Sequence, residues 1–355
     1  MPARNHRNWL KKPNVESVSS EIYSSQKIYE EEIKNIFSKV WVPICHKSEM
    51  PKPGNFRTTQ IAGHNVIAVN NGDSITAYLN TGKFNMPSGT MSRVEFLMSD
   101  YTPLYTEVKH GGMVWTTLDD NPTQDVEQWT AGAFDCIADA IDTEELEIFH
   151  YHKAIIPTNF KLWHDTNSEF YHDFMHYFNR VTGFNDEYFA RKNIAFDNGH
   201  VNVSSFTVNY TEFDKEGDRG ELSFPNLPPN QWYMVDLFPG FNFNLRGSAY
   251  RSDSVTPLGP NSVLIEFRGY GLQKDTTEER NTRIKHHNTI WGPFGRNLHE
   301  DLLGVTGQGA SMAPGTERRN ILHGRHENNT IHDEVGMRHY YSEWGKYLDV
   351  DPYTV

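Results

Sequence analysis

Apolar residues recur at helical spacing near the start of the chain and at strand spacing in the stretch that follows. From 20 to 39 they return every three or four positions, which predicts an amphipathic helix. Between 40 and 120, short apolar or alternating runs are separated by Pro, Gly and Asn, which is typical of strands joined by turns. The predicted strands cover 40–44, 56–59, 65–69 and 113–117. This part of the chain is therefore predicted to be a small β domain.

The second half combines long helical patterns with another group of strands. Residues 121–145 are acidic and predict a connector with a short helix, and residues 155–179 predict one long helix. Further strands are predicted at 201–210, 231–238, 241–245 and 262–270, and further helices at 277–303 and 332–348. This order predicts an α+β fold in which a curved sheet wraps a helix and leaves a cavity beside it. We expect three regions: a helical segment at 1–39, a β domain at 40–125 and a larger domain at 145–355.

Composition narrows the class of protein. The 355 residues include 33 basic and 46 acidic side chains, for a formal charge of −13. We therefore expect neither a nucleic-acid partner nor an anionic membrane surface, since both require a positive face. No run approaches the roughly 20 apolar residues of a membrane span, and residues 1–14 lack the apolar core of a signal peptide. A soluble cytoplasmic protein is expected. Two cysteines are too few for a disulfide scaffold or a four-cysteine metal site.

Candidate chemistry is concentrated in the predicted helix. Four polar side chains share one of its faces, at positions i, i+4, i+7 and i+11: Asp165, Glu169, His172 and His176. Two imidazoles one turn apart can reach the same metal ion, and buried carboxylates and imidazoles are costly unless paired or ligated. The best source of a third ligand is the segment 291–304. Two histidines and one carboxylate form the facial triad of non-haem Fe(II) oxygenases, which leaves positions open for O2 and substrate.

A histidine pair at this spacing need not bind iron. Two histidines at i and i+4 are more often a surface or hydrogen-bonded core feature than a metal site. A zinc protease would show a His-Glu-x-x-His motif, which this chain lacks. A 2-oxoglutarate oxygenase expects His-x-Asp or His-x-Glu on one strand, which the helical pair does not match. The pair by itself therefore leaves a structural role open.

Three sequence blocks resemble the large (α) subunit of Rieske ring-hydroxylating oxygenases, and together they span nearly the whole chain. They are 40–56, 159–176, and 292–301 with Gln308 just after. The resemblance implies a reduced Rieske-like β domain at 40–125 and a helix-grip catalytic domain, with an antiparallel sheet around a long helix, at 145–355. It further implies that mononuclear Fe(II) is ligated by His172, His176 and Asp301.

The resemblance also assigns a role to Glu169, and the register of the predicted helix assigns roles to two further acidic residues. Glu169 would be the residue that bridges to the Rieske cluster of a neighbouring subunit. Asp165 and Asp173 would flank the iron on the pocket side. There they would either favour a polar or cationic substrate or hydrogen-bond the ligating histidines, and the second role is slightly favoured.

The chain departs from the family pattern at the cluster. A Rieske 2Fe–2S centre needs two Cys/His pairs on two loops. The first pair should follow Thr81, where the chain reads Gly-Lys-Phe-Asn-Met-Pro-Ser-Gly, and the second pair is missing too. Cys45 and His46 are adjacent in an earlier strand, and Cys136 stands alone in the acidic connector. We therefore expect no 2Fe–2S cluster in this chain. We hypothesise that a separate Rieske-bearing subunit or protein brings the cluster to the Glu169 face.

These features predict an oxygenase catalytic subunit that uses O2 to hydroxylate or oxidatively demethylate a small organic substrate, aromatic compounds included. Electrons would come from the Rieske-bearing partner and, indirectly, from a reductase or ferredoxin. The resemblance implies a trimer-based homo- or hetero-oligomer, with or without a small β subunit. Two alternatives stay open: an inactive α-like subunit of a mixed oligomer, and a helix-grip ligand-binding protein with a structural metal. No polar signature on strands 200–270 selects a particular ligand.

Overall fold

The computed structural model describes most of the chain in several segments. The described residues are 15–80, 88–90, 101–177, 180, 183–208, 222–316, 320–325, 330–332 and 334–354. Most of the segment after Thr81, where the first Cys/His pair of a Rieske cluster is expected, lies outside the described residues. The same holds for the ends of two predicted elements, the helix 155–179 and the strand 201–210.

The N-terminal region is helical but interrupted. It comprises strand β1 (Val15–Ser19), helix α1 (Glu21–Ser24), helix α2 (Gln26–Glu32) and a π-helical turn at Ile33–Phe37. The predicted single helix over 20–39 breaks at Ser25, whose backbone is extended and whose side chain accepts a hydrogen bond from the backbone N–H of Ile28. A serine in this position caps the start of a new helix, so the region forms two short helices instead of one.

Two small antiparallel sheets follow. Their strands are β2 (Val42–His46), β3 (Asn55–Ile61), β4 (His64–Asn70), β5 (Ile75–Asn80), β6 (Ser88–Thr90), β7 (Tyr101–Pro103), β8 (Thr106–Lys109) and β9 (Met113–Thr116). One sheet has the order β6-β3-β4-β5-β7 and the other has the order β2-β9-β8. The strands predicted between 40 and 117 are confirmed, with bounds shifted by at most two residues. Helices α3 (Val126–Thr130) and α4 (Ala138–Ile141) lie in the acidic connector.

A seven-stranded antiparallel sheet dominates the rest of the described chain. The elements in chain order are β10 (Leu146–Ile156), α5 (Phe160–Ser168), a 3-10 turn (Tyr171–Phe174), α6 (Asp186–Ala190), β11 (Asn193–Ala195), β12 (Val201–Thr207), β13 (Gln231–Leu237), β14 (Phe241–Arg246), β15 (Ala249–Gly259), β16 (Ser262–Leu272), α7 (Thr277–Trp291), α8 (Arg296–Ser311), β17 (Asn320–Arg325) and α9 (Val335–Leu348). The sheet order is β10-β16-β15-β14-β13-β12-β11, and β17 pairs with β1. Helix α5 packs on β13 and β15, and both α8 and α9 pack on α5. The predicted α+β architecture is confirmed.

The predicted long helix over 155–179 is wrong in its extent. Residues up to Ile156 belong to edge strand β10, and the helix starts only after Asn159, whose side chain accepts a hydrogen bond from the backbone N–H of Lys161. The helix ends at Ser168 because Glu169 adopts an extended backbone. The apolar and polar positions beyond Ser168 therefore do not continue the helical stripe.

Two further differences have local causes. Strand β15 is missing from the prediction because its buried residues are largely polar, and its buried serines bond partners that the sequence does not show. The Ser252 hydroxyl lies 2.6 Å from that of Tyr270, and Ser254 donates to the backbone carbonyl of Pro43. The predicted helix over 277–303 is split into α7 and α8 at 292–295, a Gly-Pro-Phe-Gly turn.

A buried ion-pair network joins the small sheets to the large one. The carboxylate of Glu49, next to β2, accepts a hydrogen bond from Nε of Arg268 on β16 at 2.8 Å, and its second oxygen lies 2.8 Å from Nε of Arg57 on β3. Burial alone would raise the pKa of Glu49, but the two guanidinium groups outweigh it and lower the pKa below its usual value. The network therefore fixes one sheet against the other through a charged glutamate.

The helix that carries Asp301 and the segment that leads to the two histidines come into close contact at a glycine. Gly309 of α8 lies against the backbone just before α5, and a Cβ at this position would lie 2.8 Å from both Cα and Oγ1 of Thr158. Such a distance is shorter than van der Waals contact, so only glycine permits this approach. The position of α8 relative to α5 is thereby defined. Among the described residues, no helix is long and apolar enough to cross a membrane.

Candidate metal centre

The two predicted histidines lie in the segment that follows α5, beyond the helix itself. The chain is extended at Glu169, and His172 lies in the 3-10 turn Tyr171–Phe174. His176 comes just after this turn, and the centroids of the two imidazole rings are 5.2 Å apart. The tight turn therefore brings both rings together, although the continuous helix that predicted this proximity does not exist.

Asp301 reaches the histidines from α8. Its Oδ1 lies 2.9 Å from Nε2 of His176 and 3.5 Å from Nε2 of His172. Atoms that bind one metal ion at about 2.1 Å in neighbouring positions are separated by roughly 3 Å. The spacing of these three side chains therefore suits a single ion.

The Nε2 atom of His176 supports this fit. It is buried, and its approach to Asp301 lacks hydrogen-bond geometry, so it has no hydrogen-bond partner among the described residues. Leaving a buried polar atom without a partner costs about 1–3 kcal/mol. A metal ion would use the lone pair of this nitrogen, which explains why the atom is held in this position.

Two outer carboxylates orient the imidazoles. Oε2 of Glu169 lies 3.1 Å from Nδ1 of His172, and Oε2 of Glu300 lies 2.9 Å from Nδ1 of His176. A carboxylate at Nδ1 accepts the proton there and leaves Nε2 free to bind a metal, as is usual for ligating histidines. Sequence reasoning did not assign Glu300 a role in the site, although it directly precedes Asp301.

Asp173 is a second carboxylate close to the histidines. With His172 and His176 it forms a group whose ligand atoms lie within 4.8 Å of one another. Its Oδ1 is 3.9 Å from the nearer imidazole nitrogen, whereas its Oδ2 accepts a hydrogen bond of 2.7 Å from the hydroxyl of Tyr188 and lies 3.8 Å from Arg191. Asp301 approaches both imidazoles more closely and is the better third ligand.

Electrostatics at this cluster favour a cation. Burial would raise the pKa of the Asp301 carboxyl, but His176 and His172 outweigh it and hold the pKa well below its usual range. Burial would likewise lower the pKa of His172, yet Asp301 and Glu169 raise it well above its usual value. The carboxylates therefore attract positive charge to the histidines, and a divalent cation supplies that charge more effectively than protons do.

Asp165 lies apart from the three ligand-type side chains. Its Oδ2 accepts a hydrogen bond of 2.8 Å from the hydroxyl of Tyr23, and Tyr341 donates to its Oδ1 at 3.2 Å. Burial raises its pKa to about 6, against the effect of these hydrogen bonds. The structure thus places Asp165 in a hydrogen-bonded link between α5, the N-terminal region and α9. Its predicted catalytic role stays a prediction.

A cavity of about 40 Å³ lies on the sheet side of the histidines. His172, His176 and Asp301 line it, together with strand residues that include Trp232 and Asn244. Its wall also contains three arginines: Arg191, Arg246 and Arg251. Two of them, Arg246 and Arg251, lie on β14 and β15, within the strands 200–270 where no polar signature was expected to select a particular ligand. Only the register of the sheet shows that both face the candidate site.

A larger cavity of about 390 Å³ lies on the other side of the same residues. Glu169, His172 and Asp301 line it, and so does Asp165. Glu169 is partly exposed, with 20% of its side-chain surface accessible. The cluster thus has an open face at Glu169 and a more confined face toward the sheet.

Neither cysteine lies in a metal-binding arrangement within the described residues. Cys45 is fully buried in β2, and burial raises its thiol pKa beyond the usual range. The ring of His46 beside it is engaged by the carbonyl oxygen of Gly111 at 2.7 Å and the hydroxyl of Ser48 at 2.8 Å. Both groups therefore serve packing and hydrogen bonding.

Known proteins resemble this chain over almost its full length. It is 52% identical to the methanesulfonate monooxygenase hydroxylase subunit alpha of Methylosulfonomonas methylovora, over 99% of this chain and 96% of the relative. It is 30% identical to the 2-aminobenzenesulfonate 2,3-dioxygenase subunit alpha of Alcaligenes sp, over 98% of both chains. No family model matches the sequence.

Solved structures with low sequence identity share the fold. A quaternary ammonium Rieske monooxygenase bound to an inhibitor superposes with a TM-score of 0.74 at 17% identity, covering 95% of this chain and 97% of that one. Naphthalene 1,2-dioxygenase from Rhodococcus sp. bound to indole gives a TM-score of 0.74 at 13% identity, covering 94% of both chains. These likenesses confirm the expected fold.

The alignment with the methanesulfonate enzyme contains positions that have no residue in this chain. It spans 400 positions, whereas this chain has 355 residues, so at least 45 aligned positions have no residue here. Most of the chain is nevertheless aligned, including both segments that supply the candidate ligands, since the coverage is 99%.

Enzymes of the family to which these relatives belong are oligomeric. They use a mononuclear iron at the catalytic site and receive electrons from a Rieske cluster and a reductase or ferredoxin. The close relatives, together with the fold, show that this chain belongs to the catalytic α subunits of the Rieske non-haem iron oxygenases.

Proposed function

We propose that this chain binds the Fe(II) of its oxygenase through His172, His176 and Asp301 and oxidises a small organic sulfonate with O2. The observation that carries the metal assignment is the convergence of two Nε2 atoms and one carboxylate oxygen at 2.9 and 3.5 Å. When bound, Fe(II) supplies the redox chemistry that activates O2, and a facial triad leaves positions open for it. The residues of the chain hold the ion, fix the histidine tautomers and shape the space for the substrate.

The sulfonate assignment is supported by two independent observations. The two relatives that show the family have names that refer to methanesulfonate and 2-aminobenzenesulfonate. The confined cavity beside the candidate ligands contains three arginines and two aspartates, one of which is the proposed ligand Asp301. A cationic substrate, the alternative considered from Asp165 and Asp173, would meet excess positive charge in this cavity.

We also propose that the Rieske cluster that reduces this site lies on another chain. The sequence lacks two Cys/His pairs, and the alignment with the methanesulfonate enzyme leaves at least 45 positions without a residue here, since it spans 400 positions against 355 residues. The small sheets at 40–125 would then be a Rieske-like domain without cluster ligands. Electrons would arrive at the partly exposed face of Glu169, which bonds Nδ1 of His172.

The experiment that tests this function uses the iron-loaded chain with a Rieske-bearing partner, a reductase and methanesulfonate. We expect O2 uptake that depends on the sulfonate and on the partner. Asp301→Ala should abolish both iron retention and O2 uptake, whereas Asp165→Asn should leave iron retention intact because Asp165 does not approach the imidazoles. Full iron retention by the Asp301 variant would overturn the ligand assignment, and sulfonate-dependent turnover without any Rieske-bearing partner would overturn the proposed electron source.

A further inference from the structure

The cavity between the candidate metal ligands and the sheet has a positively charged wall. Its charged lining residues are Arg191, Arg246, Arg251, Asp173 and Asp301. Asp253, which forms an ion pair with Arg251 behind the wall, brings the count to three cations and three anions. Fe(II) at the proposed site would add two further positive charges, and buried positive charge is costly unless an anion compensates it. With the iron bound, the cavity would therefore carry excess positive charge, which an anionic ligand can compensate.

The register of the sheet places Arg246 and Arg251 diagonally across β14 and β15. Met234 on β13 pairs with Asn244 on β14, and Asn244 pairs with Arg251 on β15. Two pairs further along β13 and β14, Trp232 pairs with Arg246. Side chains two residues apart on a strand point to the same face, so both arginines project from the face that lines the cavity.

Arg251 has donors that the described protein does not use. Its Nη2 donates to Asp253 at 2.7 Å, but its Nε and Nη1 are buried and have no hydrogen-bond partner among the residues that the structure describes. Only 3% of its side-chain surface is exposed, and the guanidinium carbon lies 4.9 Å from the ring centre of Trp291. Asp253 and the indole thus hold the guanidinium in place and leave two of its N–H-bearing atoms for another acceptor.

Arg191 adds a second guanidinium with unused donors. Four aromatic rings surround it, and those of Tyr188 and Phe206 are nearest, with centres 4.1 and 4.4 Å away. Its Nη1 and Nη2 are buried and make no hydrogen bond to the described part of the chain, although Nη2 lies 3.8 Å from Asp173. Burial lowers its pKa to about 10, so it stays positively charged at neutral pH.

We propose that Arg251 is the residue that binds the sulfonate group of the substrate, assisted by Arg191 and Arg246, and thereby orients the carbon to be oxidised toward His172, His176 and Asp301. This inference rests on the proposed function for the identity of the anion. A guanidinium presents parallel N–H donors that match two oxygens of an oxyanion. A sulfonate has three such oxygens, so it can accept from more than one arginine at once.

The size of the cavity adds a second element of specificity. Its volume of about 40 Å³ is about a tenth of that of the cavity on the Glu169 side. A one-carbon sulfonate is smaller than an aromatic sulfonate and would need less displacement of the walls, Trp232 and Phe206 among them. The site should therefore prefer methanesulfonate to benzenesulfonate.

Calorimetric titration of the iron-loaded chain with four small probes tests the proposal. Methanesulfonate should bind, and dimethyl sulfone should bind more weakly because it has the same shape without the charge. Tetramethylammonium should not bind, and benzenesulfonate should bind more weakly than methanesulfonate. Preference for the neutral or cationic probe over methanesulfonate would overturn the anion assignment, and equal or tighter binding of benzenesulfonate would overturn the size assignment.

Substitutions at Arg251 test whether this residue binds the sulfonate. Arg251→Gln should weaken methanesulfonate binding by about 10- to 100-fold, as expected for loss of hydrogen bonds to a charged group, and should leave binding of dimethyl sulfone almost unchanged. Arg251→Gln combined with Asp253→Asn removes the pair together, so that no buried carboxylate is left uncompensated, and should show the same selective loss. Arg280→Gln removes a guanidinium that does not line the cavity and should bind both probes as the parent chain does.

The two proposals fail in distinguishable ways. Normal methanesulfonate affinity in both Arg251 variants would overturn the role of Arg251 even if the enzyme oxidises sulfonates. Selective loss of binding in these variants would support that role even if O2 uptake with sulfonates is never observed.

Discussion

Replacement of Gly309 by alanine tests whether one close contact between α8 and the start of α5 positions the proposed metal ligand Asp301. The new Cβ would lie 2.8 Å from Cα and Oγ1 of Thr158, well inside the carbon–carbon contact distance of about 3.5–4.0 Å. Backbone atoms cannot rotate away as a side chain can, so α8 must move by roughly the overlap, about 1 Å. Asp301 lies eight residues earlier on the same helix and would move with it.

The magnitude follows from two opposing effects. Overpacking costs about 1–3 kcal/mol, whereas replacing glycine by alanine inside a helix stabilises by about 1 kcal/mol. Gly307 provides a matched control, because it lies on the same helix and a Cβ there would meet nothing within 4 Å. We expect Gly307→Ala to stabilise the protein by up to about 1 kcal/mol. Gly309→Ala should be less stable than that control by about 1–3 kcal/mol.

The assay measures urea unfolding of both variants and the Fe(II) retained after equilibration with a weak chelator. Gly309→Ala should unfold at lower urea concentration and lose iron more readily than Gly307→Ala, because an Asp301 carboxylate displaced by about 1 Å no longer reaches both imidazoles. Equal stability and equal iron retention in the two variants would show that the contact between Gly309 and Thr158 does not position Asp301.

Three other predictions concern Glu49, His200 and Glu300. Glu49→Gln should lower the free energy of unfolding by about 3–5 kcal/mol in urea titrations, because it leaves two guanidinium groups without their buried carboxylate; a loss below 1 kcal/mol would contradict this role. His200 is held neutral, since one ring nitrogen bonds the carbonyl of Trp129 and the other accepts from the N–H of Phe238, and burial lowers its pKa to about 3. The pKa of this histidine in the unfolded chain is near 6.5, so its contribution should lower the free energy of unfolding by about 1.4 kcal/mol per pH unit as the pH drops from 6.5 toward 3. His200→Gln should remove that pH dependence. A variant with the same pH profile as the parent chain would refute this prediction. Glu300→Gln should weaken Fe(II) binding by about 10- to 100-fold without a comparable loss of stability, as measured by competition with a chelator, and unaltered affinity would show that this carboxylate does not orient His176.

The fold could be predicted from the sequence where local patterns and tertiary structure agree. The four strands predicted between 40 and 117 are apolar or alternating runs bounded by turn residues, so their bounds were predicted closely. Strand β15 could not be found in this way, because its buried serines bond groups on other strands and Arg251 pairs with Asp253 within the strand. A polar run looks exposed until those partners are known.

The candidate site could likewise be predicted only where local spacing decides which side chains lie together. The spacing of His172 and His176 predicted that their rings lie together, and the structure brings them together through a 3-10 turn instead of a helix. The sequence could not place Arg251 beside them, because the register of β13, β14 and β15 depends on long-range pairing. Helical spacing also put Asp165 on the same face as the histidines. The break at Glu169 turns Asp165 toward Tyr23 and Tyr341 instead.

The central claim is that this chain holds a mononuclear iron site and depends on another chain for its Rieske cluster. The most direct test is to measure iron and acid-labile sulfide in the anaerobically purified protein. A single facial triad predicts about one iron per chain, no sulfide, and none of the visible absorption of a 2Fe–2S cluster. Loss of that iron in Asp301→Ala would tie it to the proposed ligands. Acid-labile sulfide together with about three irons per chain would contradict the account, since this chain would then hold a cluster of its own.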